Sequence, residues 1–130
     1  MSQTKKLDLE TASDSKSESF VLQKLSKVEN VDKGIKRQLL GYNEKLMAVR
    51  VWFEVGAVGQ LHKHPHSQVA YVESGQFDVT VGEETKRLVA GDSFFVAPET
   101  MHGAVCIEAG VLIDMFSPVR EDFLTGGDQS

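Results

Sequence analysis

The chain contains a single cysteine, which excludes an internal disulfide framework. Cys106 lies in the apolar segment AVCI, where a buried thiol behaves as a small hydrophobic side chain. No apolar run approaches the ~20 residues that a membrane-spanning helix needs, and the first residues have no apolar signal-peptide core. We therefore expect a cytoplasmic protein without a membrane partner.

Basic residues are in the minority: 14 Lys and Arg face 19 Asp and Glu, which gives a net charge of −5. Because no basic stripe is present to neutralise phosphates, a nucleic-acid partner is not expected. A chain of 130 residues is long enough for one domain with a sizeable core. We predict a single domain over residues 20–130, preceded by a mobile polar tail over residues 1–19, which are rich in Ser, Thr and mixed charge.

Helical periodicity is missing after residue 34, and period-two alternation takes its place. The clearest strand spans residues 46–55, with Met47, Val49, Val51, Phe53 and Val55 on one face and Ala48, Arg50, Trp52 and Glu54 on the other. The second face could line a lumen or a dimer interface. A turn is predicted at residues 41–44, and short strands at residues 35–40, 76–81, 87–89, 93–96, 103–108 and 111–116. This pattern predicts an all-β antiparallel sandwich or barrel, while residues 20–31 fit both a helix and a strand.

Histidine is rare but clustered: the chain has four, and three of them are His62, His64 and His66. Side chains alternate along a strand, so His62 and His64 project to the same side, and Gln68 shares their direction. His102 follows a Gly91-Asp92 turn, where a neighbouring strand can bring a third imidazole alongside. These residues predict a metal site. His66 follows Pro65, which disturbs the register, and we interpret it as a neighbour of the site or a surface residue rather than a ligand.

Two motifs in this chain resemble those of the cupin superfamily. The first is Gly56-x5-His62-x-His64-x3-Gln68 with Gly75, and the second is Gly91-Asp92, Pro98 and His102. The resemblance implies a cupin double-stranded β-helix, that is, a small jelly-roll barrel with one divalent metal ion inside, assembled as a homodimer. Two features depart from the usual pattern: Gln68 stands where cupins normally carry Glu, and Pro98 comes one residue late.

Gln in that place is a feature of the KdgF-type pectin-degradation cupins, and other segments also resemble this family. They are GIKR (34–37), LHKHPHSQ (61–68) and GVLIDMFSPVREDFL (110–124). The resemblance implies an enzyme that converts 4,5-unsaturated uronate monosaccharides, released from pectin or alginate, to linear 4-deoxy-5-keto uronates. It implies His62, His64, Gln68 and His102 as metal ligands, and Asp114, Phe116 and Arg120 as the catalytic residues that act on this anionic sugar.

The ligand set supports a redox-neutral reaction on chemical grounds. Three imidazoles and an amide are neutral, so a divalent metal keeps its full charge and acts as a strong Lewis acid. The same set stabilises Fe(III) less well than a carboxylate would. The identity of the metal stays open among Ni, Zn, Mn and Fe. Two other functions stay open as well, namely an Fe-dependent cupin dioxygenase acting on a small molecule and a non-catalytic sugar-binding cupin.

Simpler roles exist for the three residues beyond the metal. Asp114 alternates with apolar residues and could act as a general acid or base, or face water at a strand end. Arg120 could hold the substrate carboxylate, or lie exposed and pair with Glu121 or Asp122. Phe116 could form a pocket wall or belong to the plain core.

Overall fold

The computed structural model describes residues 16–125, and antiparallel β-strands dominate that part of the chain. The strands are β1 (Glu29–Asp32), β2 (Ile35–Asn43), β3 (Leu46–Phe53), β4 (Val58–His62), β5 (Ser67–Val81), β6 (Glu84–Val89), β7 (Ser93–Val96) and β8 (His102–Ser117). One 3-10 turn, Gln23–Leu25, precedes them, and a single-turn helix, α1 (Glu121–Leu124), follows. Neither helix is long and apolar enough to cross a membrane, which holds for the described residues alone.

The two long strands, β5 and β8, pair with each other and contribute to both layers of the molecule. The second half of β8 pairs with β3, which continues through β2 to β1, while the first half of β5 pairs with β7. The first half of β8 pairs with β4, and the second half of β5 pairs with β6. This arrangement confirms the predicted all-β jelly-roll barrel.

A contact between two glycine backbones lies where the long strands pass from one layer to the other. The register between β5 and β8 shifts repeatedly between residues 72 and 77. A Cβ atom on Gly75 would lie 2.5 Å from the carbonyl oxygen of Glu108 and 2.6 Å from the Cα of Gly110. The predicted strands at residues 103–108 and 111–116 left a break at Ala109-Gly110, and that break is wrong because one strand runs through it. Gly110 permits a close backbone approach inside one continuous strand rather than a turn between two.

The alternation predicted for β3 is confirmed over most of its length. Met47 and Val49 are fully buried, and Val51 and Phe53 are nearly so. Val55 is the exception, because β3 ends at Phe53 and Val55 lies 68% exposed in the turn that follows.

The opposite face of β3 lies outside the barrel rather than in its lumen. Arg50 donates a hydrogen bond to the side-chain oxygen of Gln38, at 2.8 Å, on the neighbouring strand β2. Gln38 in turn donates to the carbonyl oxygens of Gln23 and Ser26. The ambiguous segment 20–31 thus forms a 3-10 turn lying over the outside of β2, followed by strand β1.

Three smaller expectations can also be compared with the structure. The turn predicted at residues 41–44 lies later, because β2 continues to Asn43, whose side-chain oxygen accepts the backbone N–H groups of Lys45 and Leu46. Helix α1 contradicts the expectation of no helix after residue 34. Most of the predicted tail lies outside the described residues; within them, Ser17 exchanges hydrogen bonds with the backbone of Tyr42.

Candidate metal centre

Three of the four histidine rings converge at one end of the barrel. His62 ends β4 and pairs in register with His102, which begins β8. Their ring centroids lie 4.3 Å apart, and the His64 ring lies 4.7 Å from that of His102 and 5.5 Å from that of His62. Each ring offers a nitrogen within 4.8 Å of the others, a group that could hold a metal ion.

The route by which His64 joins this cluster differs from the prediction. His62 and His64 do not share one extended strand, because β4 ends at His62 and His64 lies in the loop before β5. The loop turns the His64 side chain into the barrel, where it is buried, whereas His62 stays exposed at the rim. The predicted cluster therefore forms, but through a loop rather than through strand alternation.

Backbone carbonyl groups orient two of the imidazoles. Nδ1 of His62 lies 2.9 Å from the carbonyl oxygen of Gln60, and Nδ1 of His102 lies 2.8 Å from that of Thr100. Both Nδ1 atoms therefore carry the proton and donate it, which leaves each Nε2 lone pair for a ligand. Nε2 of His102 is buried without a hydrogen-bond partner among the described residues. A buried nitrogen of this kind needs a partner, and a metal cation provides one.

Gln68 directs its side-chain oxygen into the histidine cluster. It is the second residue of β5 and is buried, and its Oε1 lies 3.0 Å from Nε2 of His64. Nδ1 of His64 is buried and has no partner within residues 16–125. The neutral donor set of three imidazoles and one amide is thus assembled in one place, and it fits a divalent cation.

Burial favours the neutral form of three imidazoles, those of His64, His66 and His102. It lowers the pKa of His102 to about 4, mainly through loss of hydration of the charged form. Burial and the positive charge of Arg120 also lower the pKa of His64 and of His66. Neutral imidazole is the form that binds a metal, so the lowered pKa values of His64 and His102 favour metal binding at neutral pH.

His66 stands beside the cluster and is not part of it. Its Nε2 donates to the carbonyl oxygen of Val119 at 3.1 Å, and its ring lies 5.3 Å from that of His64 and 6.3 Å from that of Phe116. This placement agrees with its interpretation as a neighbour of the metal site.

Asp114 lies on the inner face of β8, within the cavity that adjoins the histidines. It pairs in register with Val49 and Ala70, two fully buried residues, so it does not face water at a strand end. Its Oδ1 is buried and has no hydrogen-bond partner among the described residues. Burial raises the pKa of Asp114 to about 7, and a hydrogen bond with Gln68 and the charge of Arg120 oppose this rise. The carboxyl group can therefore both accept and donate a proton near neutral pH.

Phe116 and Arg120 adjoin the same cavity. Phe116 is buried, with its ring 5.7 Å from that of His64. Arg120 is buried too, and its Nε and Nη2 donate to the carboxylate of Asp122 at 3.0 and 2.9 Å. The alternative pairing with Asp122 is thus present, but the guanidinium group lies inside the molecule instead of on its surface. Its Cζ lies 5.1 Å from the ring centroid of Phe116.

Sequence reasoning assigned no role to two residues that line this cavity of about 200 Å³, namely Arg37 and Phe123. Arg37 is buried and Phe123 partly buried. A signal for Arg37 existed, because it alternates with Ile35 and Leu39 on one face of β2. Phe123 gave no such signal, because it lies on the single-turn helix that the periodicity does not reveal.

Comparison with known proteins agrees with this geometry. The family model described as the Cupin domain matches residues 49–116. The pectin degradation protein KdgF of Dickeya dadantii (strain 3937) is 46% identical over 98 residues, which cover 74% of this chain and 89% of that protein. The chain belongs to the KdgF-type cupins.

Two solved structures extend this relationship across the described fold. An RmlC-like cupin from Shewanella frigidimarina NCIMB 400 is 53% identical with a TM-score of 0.82, covering 84% of this chain and 98% of that one. The structure of KdgF from Halomonas sp. is 40% identical with a TM-score of 0.78, covering 82% of this chain and 99% of that one.

The buried carboxyl group of this KdgF-type cupin predicts a pH-dependent stability. The folded-state pKa of Asp114 is raised, so its contribution to stability is full below the unfolded pKa and is lost as pH rises towards about 7. The lowered pKa of His102 acts in the opposite direction, since its contribution is lost as pH falls from the unfolded value towards about 4. Comparing the wild type with D114N isolates Asp114.

In metal-free protein, the free energy of unfolding of D114N minus that of the wild type should rise by about 2–3 kcal/mol from pH 5 to pH 8. Urea unfolding at both pH values measures this difference. An equal difference at the two pH values would contradict the raised pKa.

Proposed function

We propose that this cupin acts in pectin degradation by converting 4,5-unsaturated uronate monosaccharides to linear 4-deoxy-5-keto uronates. Two relatives support a role in pectin degradation: the pectin degradation protein KdgF of Dickeya dadantii and KdgF from Halomonas sp.. The observation that carries the proposal is a histidine cluster and a buried carboxyl group at one cavity, joined through Gln68.

The metal would be held by His62, His64, His102 and Gln68. A divalent cation on this neutral set would keep its full positive charge and serve as a Lewis acid that polarises an oxygen of the sugar. The unpartnered Nε2 of His102 supports this assignment, because no group of the described protein satisfies it. Proton transfer and binding of the sugar would depend on the other side chains around the cavity.

The proposed reaction is an isomerisation and needs only proton transfer. The bond between the anomeric carbon C1 and the ring oxygen breaks with its electron pair going to that oxygen, while the anomeric hydroxyl loses its proton and becomes the aldehyde. The ring oxygen takes up a proton and is now the enol hydroxyl on C5. This enol becomes the C5 ketone as its hydroxyl loses a proton and C4 gains one. Asp114 is suited to carry this proton, because its buried Oδ1 is free and its pKa lies near neutrality. Phe116, packed between the histidines and Arg120, would form the wall that excludes water.

The substrate is an anion, and positive charge adjoins the cavity. Arg120 is one candidate to contact the sugar carboxylate, but Asp122 already occupies its Nε and Nη2. Unless Asp122 is displaced, Arg120 has only its Nη1 group available for the sugar.

We also propose that the protein is a cytoplasmic homodimer. Sedimentation velocity would measure this assembly.

A direct assay tests the proposed function. Unsaturated galacturonate, made with a pectin lyase digest, should lose its double-bond absorbance much faster with the metal-loaded protein than in buffer alone. Removing the metal with a chelator should abolish the acceleration, and adding back a divalent metal should restore it. The same assay with the alginate-derived sugar compares the two substrates. Consumption of oxygen, or binding of the sugar without turnover, would contradict the proposal.

A further inference from the structure

A second buried guanidinium group borders the candidate site. Arg37 lies on β2 opposite Val51, whose side chain is on the inner face of the barrel, and it is 5% exposed. It lines the same cavity as His62, Asp114 and Arg120. A buried guanidinium group is costly unless it is paired, so the position calls for an explanation.

Two neighbours fix the orientation of Arg37. Its Nε donates to Oε1 of Glu29 at 3.0 Å, and Glu29 is also its register partner on β1. Its Cζ lies 3.9 Å from the ring centroid of Phe123, while the Cζ of Arg120 lies 4.3 Å from the same centroid. One aromatic ring therefore holds both guanidinium groups at the cavity by cation–π contact.

The two arginines differ in how many guanidinium nitrogen atoms remain free to donate to a ligand. Arg120 uses Nε and Nη2 together on one carboxylate. Within residues 16–125, Arg37 uses Nε alone, so its two Nη groups remain. Glu29 is moreover shared with Lys27, at 3.8 Å, so one carboxylate serves two cations. Arg37 thus retains both Nη groups, and it shares its carboxylate partner Glu29 with Lys27.

We propose that Arg37 binds the carboxylate of the anionic sugar through its Nη groups, with Glu29 and Phe123 as positioning residues. This inference rests on the proposed function and specifies how the site selects an acid. A planar guanidinium edge matches a carboxylate, which explains an arginine at this position better than a lysine. A purely structural Arg37 would only tie β1 to β2 through Glu29.

Binding of an acid and of its neutral ester distinguishes these roles. Galacturonate and its methyl ester are titrated calorimetrically into the metal-loaded wild type, R37M and R37K. In R37M the Kd for galacturonate should rise roughly 10- to 100-fold while the Kd for the ester changes little, since a charge-assisted hydrogen bond is lost. R37K keeps the positive charge but lacks the planar guanidinium edge, so its Kd for galacturonate should lie between those of the wild type and R37M. K36M, which changes the adjacent exposed residue, should bind both sugars as the wild type does.

The acid–ester ratio is measured within each protein, so a partial folding defect does not imitate the expected result. If R37M does not fold, R37K decides the question by the same ratio. An unchanged ratio in the variants, or no preference for the acid in the wild type, would overturn the proposal. Turnover of unsaturated galacturonate is measured separately. If ring opening fails in the wild type, the proposed function is wrong, and galacturonate binding still decides the role of Arg37.

Discussion

D114N is expected to lower kcat by about 10²- to 10⁴-fold, the usual contribution of a positioned general acid or base. Asparagine preserves the size of the side chain and can still hydrogen-bond with Gln68, but it cannot carry a proton. Because Asp114 is not in the histidine cluster, metal content per chain should remain that of the wild type. Steady-state assays and metal analysis of the same preparations measure both quantities.

D78N is the matched control for this substitution. Asp78 also lies on a long strand, but it alternates with the buried Phe77 and Val79 and pairs with Arg87 at the surface. D78N should therefore keep the wild-type kcat. Two outcomes would contradict the role given to Asp114: unaffected turnover in D114N, or a loss of turnover that only follows a loss of metal.

H102A is expected to lower metal occupancy to about one tenth or less of that of the wild type, and turnover with it. Removal of an outer hydrogen-bond partner of a metal ligand already costs about 10- to 100-fold in affinity, and loss of a ligand should cost at least as much. The His102 ring lies 4.3 Å from that of His62 and 4.7 Å from that of His64, closer to each than those two rings lie to one another, so its removal opens the cluster at its centre. Inductively coupled plasma analysis after dialysis against the metal measures the occupancy.

H66A provides the control for loss of an imidazole nearby. His66 bonds the carbonyl oxygen of Val119 and lies outside the cluster, so H66A should retain the metal. Full metal occupancy in H102A, or equal loss in the two variants, would show that the assignment of the ligands is wrong.

The local patterns in the sequence predicted what depends on neighbours along the chain. Alternation placed Met47, Val49 and Phe53 on one face of their strand, and the structure shows that this face belongs to the core. It also set Asp114 among apolar residues, on a face that proves to be internal. The rarity of histidine pointed to the cluster, because all four histidines of the chain fall in two short motifs, which is better explained by one shared site than by chance. The resemblance to cupins supplied the closed shape of the sheet.

What the sequence did not reveal depends on contacts between distant segments. Gly110 looked like a turn residue, since only the approach of Gly75 shows why a side chain cannot fit there. The inward direction of His64 is set by a loop, and loops carry no periodicity. Arg37 and Phe123 meet across 86 positions of sequence, and no local pattern predicts a contact of that kind.

Strand β8 begins with His102 in the histidine cluster and returns to the same cavity with Asp114 and Phe116, after passing the glycine contact. One continuous strand therefore supplies both a proposed metal ligand and the proposed proton carrier. Arg37 on β2 and Phe123 on α1 line the same cavity from outside this strand, so substitutions there can alter sugar binding without changing β8.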